Sequence, residues 1–94
     1  MLYTFLFTFR RRQYAHQIRA QSVMEAIRLW ATTLDHRSIP NFGDLSKRRL
    51  IDKVNANQFG PTAVNGLTNV WSWSAILSEY EGFIHIVATT EVPS

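Results

Sequence analysis

Leu2-Tyr3-Thr4-Phe5-Leu6-Phe7-Thr8-Phe9 carries an aromatic ring at every odd position and Leu or Thr at every even one. Period two with aromatic and β-branched residues specifies a strand. Apolar groups on both sides of that strand suit an interior place in a sheet. After Arg10-Arg11-Arg12 and Gln13, which read as a turn, alternation resumes over residues 14–21. Tyr14, His16, Ile18 and Ala20 share one side, and Ala15, Gln17, Arg19 and Gln21 the other. This second strand is half-buried, so 2–21 is expected to be a β-hairpin.

Toward the C-terminus the period changes. Ser22 and Glu25 form the pattern of a capping box. Val23, Ala26, Ile27, Trp30, Ala31 and Leu34 then recur at helical spacing. Pro40 and Gly43 place a loop at 36–43. A second helix is expected from Asp44 or Ser46 to Asn55, with Leu45, Leu50, Ile51 and Val54 as a narrower stripe. Its first turn holds Lys47-Arg48-Arg49, where the helix dipole disfavours cations. Residues 55–67, rich in Asn and Gly, read as an ordered loop or short linker. Alternation returns over 69–77, a turn spans 78–82, and Phe83-Ile84-His85-Ile86-Val87-Ala88-Thr89-Thr90 reads as the last strand.

The expected architecture is a single α+β domain over 1–94, ββααββ. It has a four-stranded antiparallel sheet with two helices on one face. The first and last strands are apolar on both faces and the other two carry a polar face, so the expected strand order is 2-1-4-3. The helices should cover Tyr3, Phe5, Phe7, Phe9, Trp71, Trp73, Ile84 and Ile86. The opposite face then holds Leu2, Leu6, Val70, Ile76, Phe83 and Val87 among Thr, Ser, Gln and Arg. Large apolar groups gathered on one bare face suggest a partner surface, most simply a two-fold self-contact.

Composition bounds the function. At 94 residues, folding hides about 65% of the unfolded chain's surface, enough for one core but not for a deep active-site cavity as well. Absence of cysteine excludes disulfides, thiolate nucleophiles and Cys-based metal sites. The apolar start has no preceding cation, stops at the arginines and is followed by no cleavage pattern, so it does not read as a signal peptide. Nor is any apolar run close to the roughly 20 residues of a membrane span. A soluble, cytoplasmic protein is expected.

Ten Lys+Arg against seven Asp+Glu give a net charge of +3. Six of the ten lie in two runs, Arg10-Arg11-Arg12 and Lys47-Arg48-Arg49, an alternative reading as a nucleic-acid-binding module. His16 and His85 fall on opposite sheet faces, which argues against a metal shared between them and Glu79, Glu81 or Asp35. Asp35, His36 and Ser38 have the residue types of a nucleophilic triad without its sequence context. Glu79 and Glu81 fall in an expected exposed turn, where nothing separates the pKa values of a carboxylate pair. Gly60-Pro61 and Gly66 lack the Lys-Ser/Thr of a phosphate loop. The sequence therefore reads as a self-associating protein-interaction domain, with no catalytic residue, metal or cofactor assigned. An enzyme of unknown type ranks third.

Overall fold

Strands β1 (Leu2–Phe9) and β2 (Arg12–Arg19) pair antiparallel, with Phe5 opposite His16 and Phe9 opposite Arg12. The computed structural model describes residues 1–40, 42–55, 62–77 and 80–89, with 75–77 described by their backbone. The Arg10-Arg12 run is not one turn. Arg10 and Arg11 alone make the connection, with φ of 50° and 69°, and Arg12 already belongs to β2. A two-residue loop with both φ values positive matches the right-handed twist of its strands. The hairpin's far end is closed by the Met1 amino group donating to the Ala20 carbonyl at 3.2 Å.

Helix α1 (Val23–Thr33) starts where the Ser22 hydroxyl accepts the Glu25 N–H at 3.2 Å. It buries Ala26, Ile27, Trp30 and Ala31, followed by Leu34 at its C-cap. The expected loop 36–43 contains a short 3-10 turn, His36–Ser38, and is held down by buried Ile39 and Phe42. Helix α2 (Asp44–Asn55) buries Ser46, Leu50 and Val54. Leu45, expected in its stripe, is 53% exposed, because the inward face runs through Ser46 one position further on.

The sheet corrects the expected count. Within the segment read as a loop, Thr62–Ala63 forms a fifth strand, β3, against Ser72 and Trp71 of β4 (Val70–Leu77). Two residues are too few for alternation to be read. A turn closed by the Leu67 N–H on the Val64 carbonyl, with Gly66 at φ +83°, returns the chain toward β4. β5 (Tyr80–Thr89) starts earlier than expected, since Tyr80, Glu81 and Gly82 already pair with β4. Thr90, Ser78, Glu79 and Gly60-Pro61 lie outside the described residues.

The order is β2-β1-β5-β4-β3 and the topology ββααβββ. The four longer strands stand in the expected sequence, with β3 added at one edge. Side chains of β1 alternate between half-buried even positions and fully buried Tyr3, Phe5, Phe7 and Phe9. Trp30 stacks on Phe5 with ring centroids 5.2 Å apart and meets Phe7 edge-on at 5.5 Å. Phe42 continues the array, edge-on to Phe7 at 5.7 Å and to Phe9 at 5.2 Å. Both helices belong to this one core, on the odd-numbered side of β1.

Candidate functional site

Strand register assigns the other side of the sheet residue by residue. Across β2, β1 and β5, one row reads Arg19, Leu2, Thr89. The next reads Gln17, Thr4, Val87 and, on β4, Val70. The central row is Ala15, Leu6, His85, Ser72 and, on β3, Thr62. The following row is Gln13, Thr8, Phe83, Ser74, and Glu81 stands opposite Ile76 beyond it. Leu2, Leu6, Val70, Ile76, Phe83 and Val87 are thus all at positions on one face, Ile76 by its backbone register alone.

Among the described residues no helix packs on this face. Phe83 is 46% exposed, while Leu2, Leu6, Val70 and Val87 are half-buried by their neighbours. The apolar groups do not form a continuous patch. They alternate with hydroxyls and amides, and the Gln17 amide donates to the Thr4 hydroxyl at 3.2 Å. The three middle rows hold no Lys, Arg, Asp or Glu, although such residues make up 18% of the chain. Charge appears only beyond them, as Arg19 at one corner and as Glu81 and the Arg10-Arg11 connection toward the opposite end. Next to the centre, Thr62, Ser72, Trp73, Ser74, Phe83 and His85 line a shallow hollow of about 410 Å³.

The histidines do not converge. His16 lies opposite Phe5 on the helix-bearing side but is exposed at the edge strand, and His85 lies opposite Leu6 on the bare side. His36 pairs through Nε2 with the Asp44 carboxylate at the start of α2. Asp35 instead caps the 3-10 turn, accepting the Arg37 N–H at 3.2 Å. The Ser38 hydroxyl donates to the Asp35 carbonyl at 2.8 Å, so the Asp35, His36 and Ser38 side chains serve separate local contacts. Among the described residues no three His, Asp or Glu side chains cluster as metal ligands would. Nor is any described helix long and apolar enough to cross a membrane.

The two basic runs also separate. Lys47 Nζ donates to the Leu34 carbonyl at 2.8 Å. Leu34 is the C-cap of α1, where unsatisfied carbonyls and the dipole favour a cation. This contact supplies the physical reason for a cation in the first turn of α2. Arg48 and Arg49 are exposed on that helix. At the hairpin tip the Arg10 guanidinium lies 4.2 Å from the centroid of the Tyr80 ring. Sequence reasoning missed Phe42, Tyr80 and Pro40 around this tip, since each sits in a segment read as irregular. No family model matches the chain, and neither a curated protein nor a solved structure does.

Proposed function

We propose that the chain is a protein-interaction domain whose helix-free sheet face binds a second copy of itself. The observation carrying this reading is the uncharged centre of that face, with exposed Phe83 in it and charge confined to the rim. Depletion of charge at the centre of a patch, with a polar rim, is the composition of protein interfaces.

A second copy suits this face because its polar groups complement themselves. Hydroxyls both donate and accept, so rows of Thr and Ser complement themselves. Four strands spaced ~4.8 Å apart, each eight residues at ~3.3 Å, make a flat face of about 500 Å². Specific interfaces begin at roughly 600 Å² per partner, so the association belongs at the weak end and depends on concentration. Light scattering across a concentration series should move from 10.9 kDa toward twice that mass. Phe83→Asp should hold the chain at the lower mass. A wild-type chain that stays monomeric up to millimolar concentration would overturn the reading.

A further inference from the structure

The β1–β2 connection places arginine where the backbone favours glycine. Arg10 and Arg11 are consecutive residues with positive φ, in a loop geometry whose preferred sequence is Asn-Gly. A side chain in the left-handed region costs about 1–2 kcal/mol, and such strain concentrates at functional positions. The arginines do not recover that cost through carboxylates. Among the described residues, none of Arg10, Arg11 and Arg12 forms an ion pair.

Their surroundings form a site. Arg10 and Arg12 flank a small hollow of about 190 Å³ whose other walls are Phe9, Tyr14 and Pro40. The Tyr80 ring, itself edge-on to Phe9 at 5.9 Å, lies under Arg10 Cζ, 4.2 Å from its centroid. A guanidinium held over a ring by its central carbon still has N–H donors for hydrogen bonds, and its planar fork matches a phosphate. Arg11 is exposed beside it, and Arg37 lies across Pro40, in the neighbouring hollow that the same proline helps to line.

We propose that this tip binds single-stranded nucleic acid, with Arg10, Arg11 and Arg12 on successive phosphates and the hollow taking a base or sugar. The apolar walls favour a single strand. A duplex offers this site only its phosphates, whereas an unpaired strand also offers ring faces to stack. The site lies at the end of the sheet and uses none of the rows assigned to self-association, so it stands or falls independently of that reading.

Fluorescence anisotropy of labelled twelve-nucleotide oligo-uridine and oligo-thymidine tests it across salt. Three phosphates of a single strand give a log–log slope near −2.1, at about 0.7 per contact. That is about an 18-fold loss of affinity between roughly 50 and 200 mM salt. Arg10→Gln with Arg12→Gln should reduce the slope to about −0.7. Arg48→Gln with Arg49→Gln, an equal change in net charge on α2, should leave it unchanged. If the first pair of substitutions disturbs folding by circular dichroism, Arg12→Gln alone carries the comparison, with a slope near −1.4. Phe83→Asp should bind the strand as wild type does. Three results would each overturn the proposal: no binding below about 100 μM at low salt, equal effects of the two double variants, or duplex DNA or anionic phospholipid vesicles bound as tightly as the single strand.

Discussion

Trp30 joins two opposing effects in one side chain. It is 1% exposed and packs against Phe5 and Phe7, yet its indole N–H has no hydrogen-bond partner among the described residues. Removing the whole ring should cost about 3–5 kcal/mol, so Trp30→Ala should lose its cooperative urea transition or shift it far down. Trp30→Phe deletes the orphan donor together with some volume. Because a buried unsatisfied donor itself costs about 1–3 kcal/mol, that variant should lose far less stability than Trp30→Ala. Arg11 presents the converse case, a strained backbone under an exposed side chain. Arg11→Gly relieves the left-handed conformation and should raise the denaturation midpoint, by up to about 1 kcal/mol in stability. Gly66, at φ +83°, has no atom within 4 Å of the position a Cβ would take. Gly66→Ala should therefore cost about 1 kcal/mol through backbone strain alone. Neither sign is legible from residue type, because the sequence does not state which turn positions take positive φ.

At the scale of elements, α1 was legible almost to the residue and α2 only in part. The stripe of α1 is wide and the Ser22 hydroxyl caps it, the half of the capping box that forms, so local information suffices. α2 has a thin stripe, and its register depends on what it packs against. Ser46 faces inward in place of Leu45, and Lys47 turns toward the end of α1. The Lys47 contact is a charge-assisted hydrogen bond from a half-buried side chain. Lys47→Ala should therefore cost about 1–2 kcal/mol in chemical denaturation, whereas Arg48→Ala and Arg49→Ala should leave stability unchanged. Ser22→Ala should cost about 1 kcal/mol through the lost cap. The 3-10 turn and β3 leave no signature in the sequence because elements of two or three residues are shorter than any period that could reveal them.

For the whole molecule, the sheet has two faces of different character and its tip a third. One face takes both helices over a continuous aromatic core; the other is uncharged at its centre and bears Phe83. Phe83→Asp separates stability from assembly. Its side chain is exposed, so at low concentration the variant should melt as wild type does, and only the concentration dependence of mass should vanish. A drop in the low-concentration melting temperature would instead mark Phe83 as part of the core.

Strand identity, sheet faces, the principal helix and the order of the four longer strands followed from the sequence alone. Period two and apolar content on both faces are local properties that long strands repeat many times. The sequence likewise placed Leu2, Leu6, Val70, Ile76, Phe83 and Val87 on one side, because alternation fixes a face once the strand is known. Only the tertiary structure assigned the fifth strand, the two-residue turn at Arg10-Arg11, Lys47 to the end of α1, and Arg10 to the Tyr80 ring. Each joins residues far apart in the chain or rests on a backbone angle, and neither leaves a period in the sequence.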